Sequence, residues 1–179
     1  MPPGKHRASS TRRRALAGLA GALLGPAWAQ QAPSGDDQSV ALPRVGSLLP
    51  LPDLTLLDGS RFQAASADGQ ILVLYWWASW CPFCAQQSPE MERLWRTQQA
   101  RGLRMLGLSI DRQAEDARSY LGRKGYTFPA GLFTPAVARL LPKPRGLPVT
   151  VVRGRDGRVL AAEAGQLFPE DVEQFARFL

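Results

Sequence analysis

The run Ile-Leu-Val-Leu-Tyr-Trp-Trp at positions 71–77 constrains the fold most, because it is apolar throughout and shows no alternation. A strand with one solvated face alternates polar and apolar residues, whereas a strand covered on both faces is continuously apolar. Sheets covered on both faces are typical of α/β proteins, in which helices pack on each side. The run therefore predicts a central strand of an α/β sheet.

The surrounding segments alternate between strand and helix patterns. We expect a hairpin at 54–63 turning at Asp58-Gly59, a helix at 82–100 kinked at Pro89, a strand at 103–110, a helix at 113–125, a short helix near 135–141, a hairpin at 147–165 turning at Asp156-Gly157, and a helix at 169–179. Together these elements predict one central sheet of mixed direction flanked by helices.

Three segments divide the chain. Residues 1–29 combine a cationic head, the apolar run Ala-Leu-Ala-Gly-Leu-Ala-Gly-Ala-Leu-Leu and a small-residue site at Ala27-Trp28-Ala29, which predicts a cleaved signal peptide and a periplasmic protein. A retained membrane anchor is the alternative, although the whole apolar stretch 15–29 is short for a span and is broken by glycines and by Pro26. Residues 11–16 also resemble a twin-arginine export signal. We expect 30–47 to be a flexible linker and 48–179 to be one domain.

The net charge belongs mainly to the first segment. The chain carries 22 basic and 15 acidic residues, and five of the basic residues lie within 1–29 with no acid. The remainder holds 17 basic and 15 acidic residues, which gives no case for nucleic-acid binding.

Cys81 and Cys84 are the only cysteines, and His6 is the only histidine. A tetrahedral zinc site needs four donors, so two cysteines without a mature histidine predict no metal site. A structural clip remains open, but a bridge across so short a loop constrains the unfolded chain little. A redox pair is the favoured interpretation.

The position of the pair suits redox chemistry. Cys81 precedes the helix that starts at Pro82, and unpaired N–H groups at a helix N-terminus stabilise a thiolate. Cys84 lies one turn further in, where we expect it to be more buried and to resolve mixed disulfides.

The stretch Trp-Ala-Ser-Trp-Cys-Pro-Phe-Cys at 77–84, followed by Pro89 and by Gly-Leu-Pro-Val-Thr at 146–150, resembles the thioredoxin superfamily and within it the exported TlpA/ResA-like thiol–disulfide oxidoreductases. The resemblance covers about 46–179. It implies a thioredoxin-like fold, a central mixed β-sheet flanked by helices, with an extra N-terminal β-hairpin.

The resemblance also implies roles for individual residues. Cys81 would be the nucleophile, Cys84 the resolving thiol, and Pro148 a cis-proline facing the pair. The backbone of Leu147 would then pair with a substrate strand. Apart from the resemblance, we expect the aromatic side chains of Trp80 and Phe83 to give the mouth of the site an apolar surface that binds substrate. The only redox group implied is the Cys81–Cys84 disulfide, with no cofactor.

Three positions depart from the family pattern. Thioredoxins usually carry a buried acid where this chain has Tyr75, and the ResA-like branch often has Glu where it has Gln87. Glu90 is the nearest acid in sequence, and its distance along the helix predicts a solvated side chain. We therefore expect no obvious carboxylate to move the proton of Cys84. The proline usually found just before the second cysteine is replaced by Phe83, with Pro82 one position earlier.

Three functions remain open from the sequence. The first is a reductase of disulfides in periplasmic clients, for example in cytochrome c maturation, that is supplied by a membrane-bound electron donor and acts as a monomer. The second is a peroxiredoxin-type peroxidase, although Leu74 and Ala78 stand where its Pro-x-x-x-Thr-x-x-Cys motif has Pro and Thr. The third is a peptide-binding module with an inert disulfide.

Overall fold

A computed structural model describes residues 41–141 and 143–179. Its main element is a five-stranded sheet in the order β5-β4-β3-β6-β7. The strands are β3 (Ile71–Trp77), β4 (Leu103–Ser109), β5 (Ala130–Leu132), β6 (Val149–Arg153) and β7 (Val159–Ala164); a separate two-stranded sheet holds β1 (Leu54–Thr55) and β2 (Arg61–Phe62). The helices are α1 (Pro82–Gln98), α2 (Ala114–Lys124), α3 (Pro135–Ala138) and α4 (Pro169–Glu173).

The central strand β3 lies where the sequence predicts it. It pairs in parallel with β4 and antiparallel with β6, so the sheet has mixed direction as expected. All of its residues are buried. Alternate side chains enter two different cores, because successive residues of a strand point to opposite faces. Tyr75 and Trp77 pack with α1 and α2, whereas Leu74 and Trp76 pack with the N-terminal segment and α3.

Helix α1 begins directly after Cys81, which is its N-cap residue. Pro82 takes the first helical position, where its missing N–H costs no hydrogen bond. The helix runs through Pro89 and continues as a 3-10 turn, Gln99–Arg101. It ends at Gly102, whose φ of 98° is a left-handed conformation that glycine adopts without strain.

Both predicted hairpins are confirmed. The β1–β2 hairpin turns at Asp58-Gly59, and the Asp58 carboxylate accepts hydrogen bonds from the amide and hydroxyl of Ser60. The β6–β7 hairpin turns at Asp156-Gly157.

Two boundaries differ from the sequence analysis. The amide of Gly46 donates to the carbonyl of Val159, and the amide of Val159 donates to the carbonyl of Ser47. This part of the predicted linker is thus paired with the start of β7, a long-range contact that local composition does not reveal. The last segment is α4 followed by a 3-10 helix at Gln174–Phe178, rather than one continuous α-helix.

Among the helices that the structure describes, none combines the length and the apolar character that crossing a membrane requires.

Candidate active site

Cys81 and Cys84 form a disulfide in the first turn of α1, with their Cα atoms 5.2 Å apart. Cys81 has the extended backbone conformation of an N-cap residue, and its Sγ accepts a hydrogen bond from the amide of Cys84 at 3.1 Å. An N-cap acceptor satisfies one of the helix's unpaired N–H groups. A negative charge on this sulfur would therefore meet both an N–H donor and the positive end of the helix dipole.

The two sulfur-bearing residues are buried to similar degrees, while their aromatic neighbours are not. Cys81 is 4% exposed and Cys84 is fully buried. Trp80 and Phe83 are 65% and 55% exposed, so they stand out from the surface on either side of Cys81 in the chain. The order of burial agrees with the expectation that Cys84 lies deeper, but the difference is small.

The segment before β6 reaches the same end of the sheet as the cysteines. β6 runs antiparallel to β3, so the start of β6 lies beside the end of β3, where Val149 pairs with Trp76. The Leu147–Pro148 peptide bond is cis, which confirms the isomer expected from the resemblance. Leu147 is partly buried and packs against the core cluster that contains both cysteines.

Gln87 is fully buried and ties three segments together. Its Nε2 donates to the hydroxyl of Thr150 in β6 at 3.0 Å, and its Oε1 accepts from the amide of Leu167, just before α4, at 2.8 Å. An amide can donate and accept at once, so both contacts are satisfied without a charge. The side chain fixes the first turns of α1 against the strand that follows Pro148.

Tyr75 lies beneath the second cysteine. Its hydroxyl donates to the carbonyl of Cys84 at 3.3 Å and lies 3.0 Å from the hydroxyl of Ser88. Burial raises the pKa of Tyr75 well above its ordinary value, so the hydroxyl stays neutral at working pH. Tyr75 thus supplies a hydrogen-bond donor, not a base, at the position where thioredoxins have an acid.

One buried carboxylate was missed by the sequence analysis. Asp111 is 7% exposed and accepts hydrogen bonds from the amide and the hydroxyl of Ser79, in the loop that leads to Cys81. It also accepts from the hydroxyl of Ser109. The available signal was topological: parallel strands β3 and β4 end at the same edge of the sheet, so residues just after them meet there.

Glu90 forms an ion pair with Arg93 on the same helix. Within 41–141 and 143–179 no three His, Cys, Asp or Glu side chains are grouped as a metal site requires. The reactive group that the site presents is the Cys81–Cys84 disulfide.

Known proteins resemble the chain in both sequence and fold. The model of the AhpC/TSA family matches residues 45–132. The thiol-disulfide oxidoreductase ResA of Geobacillus thermodenitrificans is 25% identical over 130 residues, which are 73% of this chain and 75% of the relative.

Two solved structures show the same fold. A thiol:disulfide interchange protein of the thioredoxin family from Chlorobium tepidum has a TM-score of 0.69 at 23% identity, with 75% of this chain and 97% of that chain covered. A secreted disulfide oxidoreductase of Mycobacterium tuberculosis, homologous to DsbE of E. coli, has a TM-score of 0.64 at 19% identity, with 72% and 96% covered.

The fold is thioredoxin-like, with the extra N-terminal hairpin that the sequence analysis expected. The sequence relatives are ResA thiol-disulfide oxidoreductases. In this chain the Cys81–Cys84 disulfide lies at the start of the first long helix. The chain therefore has a thioredoxin-like fold with a Cys-x-x-Cys disulfide, and its sequence is similar to those of ResA thiol-disulfide oxidoreductases.

Proposed function

We propose that the protein reduces disulfides of periplasmic client proteins, with Cys81 as the nucleophile and Cys84 as the resolving thiol. The observation that carries this proposal is the place of Cys81 at the N-cap of α1, where its Sγ accepts the amide of Cys84. This environment favours the thiolate, which is the form that attacks disulfides.

The exchange proceeds in two balanced steps. The Cys81 thiolate forms a bond with one client sulfur, the client disulfide breaks, and the second client sulfur leaves and takes up a proton. Cys84 then gives up its proton and attacks Cys81 Sγ, which releases the first client sulfur as a thiol and closes the Cys81–Cys84 disulfide. Two electrons pass from the pair to the client; Cys84 gives up one of the two protons that the client gains, and the other comes from solvent, which took up the Cys81 proton when the thiolate formed.

The exposed rings of Trp80 and Phe83 provide apolar surface on which a client segment can rest. The segment at Leu147 and Pro148 reaches the same end of the sheet as the pair and would offer its backbone to an extended client strand. The apolar surface and the backbone contact both favour a client disulfide whose neighbouring residues are exposed and extended. A disulfide inside a folded core could not make these contacts.

The direction of electron transfer depends on how strongly the groups near Cys81 stabilise its thiolate. Strong oxidants of this chemistry have an unusually stabilised reduced form. Here Pro82 and Phe83 bring neither a cation nor a side-chain donor, so stabilisation of the thiolate rests mainly on the helix terminus. We infer a reductant that a membrane-bound donor keeps reduced, with cytochrome c maturation as one pathway that needs such a reductase.

Periplasmic location is supported by the predicted signal peptide, which lies outside the described residues.

A trapping experiment tests the assignment of roles. Cys84→Ser removes the resolving thiol, so mixed disulfides with clients should accumulate on Cys81 and dissolve on addition of dithiothreitol. Cys81→Ser is the matched control and should trap nothing. Trapping by the Cys81→Ser variant instead would reverse the roles. Consumption of hydrogen peroxide without reduction of protein disulfides would favour the peroxidase alternative.

A further inference from the structure

Asp111 and Ser79 form a side-chain contact at the edge of the sheet that carries the redox pair. Trp77 and Ser109 are paired in register as the last residues of β3 and β4, and Ser79 and Asp111 each follow two residues after the end of their strand. The Asp111 carboxylate accepts the Ser79 amide at 3.1 Å and the Ser79 hydroxyl at 2.8 Å. The Ser109 hydroxyl also donates to this carboxylate, at 2.7 Å.

We propose that Asp111 is a positioning residue for the reaction, because it anchors the loop that presents Cys81 at the N-cap of α1. The inference rests on the proposed role of Cys81 as the nucleophile.

The loop between β3 and α1 has only four residues, 78–81, so hydrogen bonds to Ser79 also restrict the position of Cys81. Cys81 donates its amide to the carbonyl of Ala78 at 3.2 Å, which closes a turn around Ser79 and Trp80. The large ring of Trp80 is 65% exposed and gives this turn little packing. The contacts of Ser79 with Asp111 therefore hold the turn to the sheet, and through it they hold Cys81 Sγ beside the Cys84 amide.

The negative charge of Asp111 and its hydrogen bonds to Ser79 should have opposite effects on the stability of the Cys81 thiolate. Two substitutions of Asp111 separate these effects. A carboxylate near Cys81 disfavours the thiolate, whereas a fixed N-cap geometry favours it. Asp111→Asn and Asp111→Ala both remove the charge, but only Asn keeps an oxygen that can accept from Ser79. A difference between these two variants therefore reports the anchor alone.

Glu92 offers a matched control, because it is a second buried carboxylate and lies in α1, the helix that Cys81 caps. It is a buried carboxylate that accepts from the amide and hydroxyl of Thr127 and from the amide of Phe128. It lies about three helical turns beyond Cys81. Glu92→Gln and Glu92→Ala should affect stability in the same way as the Asp111 pair but should leave the cysteine alone.

The experiment measures two properties of the reduced protein at about pH 7. One is the rate at which iodoacetamide modifies Cys81, identified by mass spectrometry, and the other is the ultraviolet absorbance of the thiolate. We expect Asp111→Ala to react about threefold more slowly than Asp111→Asn and to hold less thiolate, the size of effect that interactions at a helix terminus give. The two Glu92 variants should react at equal rates.

Equal rates for the two Asp111 variants, or an equally large difference between the two Glu92 variants, would overturn the inference while leaving the proposed function intact. Faster modification of Cys84 than of Cys81 in the unsubstituted protein would instead overturn the proposed function. If Asp111→Ala does not fold, Ser79→Ala carries the test. It removes one hydrogen bond and no charge, so an about twofold slower reaction supports the anchor and an unchanged rate contradicts it.

Discussion

Gln87 shows what a single buried side chain does at this site. Because an amide donates and accepts at once, Gln87 binds the hydroxyl of Thr150 and the amide of Leu167 simultaneously. A carboxylate could accept from both groups but could donate to neither unless it were protonated. The residue acts as a neutral link between α1, β6 and the segment before α4, and it brings no titrating group to Cys84.

Gln87→Ala should lower the free energy of unfolding by about 1–3 kcal/mol, because it leaves a buried amide and hydroxyl without their partner. Urea denaturation of the oxidised protein measures this change. Gln86 is the adjacent exposed residue, and Gln86→Ala should have an effect within about 0.5 kcal/mol. Similar losses in the two variants would contradict the role assigned to Gln87.

At the scale of elements, two buried carboxylates connect α1 and the loop before it to other parts of the domain. Asp111 binds the loop before the helix, and Glu92 binds the segment before β5 through Thr127 and Phe128. Burial by itself would raise the pKa of Glu92, but hydrogen bonds from Thr127, Arg96 and Phe128 outweigh it and hold that pKa below its ordinary value.

This lowered pKa makes stability depend on pH. A carboxyl whose pKa is lower in the folded state stabilises the protein above its unfolded pKa, about 4.3 for Glu, and loses that contribution as the pH falls through the folded value. Glu92→Gln should therefore be less stable than the unsubstituted protein at about pH 7, and the difference should shrink at about pH 3. Urea midpoints at the two pH values measure it. A constant difference would contradict the assigned pKa direction.

Gly107 in β4 and Gly122 in α2 differ in the space around their Cα atoms, and this difference can be tested by substitution with alanine. A Cβ on Gly107 of β4 would lie 2.9 Å from the Phe128 ring and 3.0 Å from Trp77 Nε1, in the aromatic core beneath α2. A Cβ on Gly122 of α2 would meet nothing within 4 Å.

Gly107→Ala should destabilise the protein by about 1–3 kcal/mol through overpacking. Gly122→Ala should stabilise it by about 0.5–1 kcal/mol, because alanine favours a helix. Thermal unfolding of both variants gives the comparison. If Gly107→Ala were as stable as Gly122→Ala, the close contact at β4 would be wrong.

Much of the fold was predictable from local patterns. The apolar run at 71–77 identified β3, Pro82 marked the start of α1, and the Asp-Gly pairs marked both hairpin turns. Local patterns did not predict the pairing of Gly46 with Val159 or the anchor between Ser79 and Asp111, because each joins residues far apart in sequence. Such contacts depend on which strands are neighbours, which hydrophobic periodicity does not specify.

At the scale of the whole molecule, the sequence predicts an export segment ahead of the redox domain. The sequence of 1–29 predicts a signal peptide, so protein isolated from the cell envelope should begin near Gln30. Mass spectrometry of the intact chain tests this expectation. Recovery of an uncleaved N-terminus in the membrane fraction would show that the segment is a retained anchor.

The reduction potential of the Cys81–Cys84 pair tests the central claim most directly. The purified domain is equilibrated with glutathione or dithiothreitol buffers, and its free thiols are counted. Because stabilisation of the Cys81 thiolate rests mainly on the helix terminus, we expect a potential nearer to about −270 mV, the value of thioredoxin, than to about −120 mV, the value of a strong oxidant. A potential above about −160 mV, or a disulfide that dithiothreitol opens only in denaturant, would contradict a reductase.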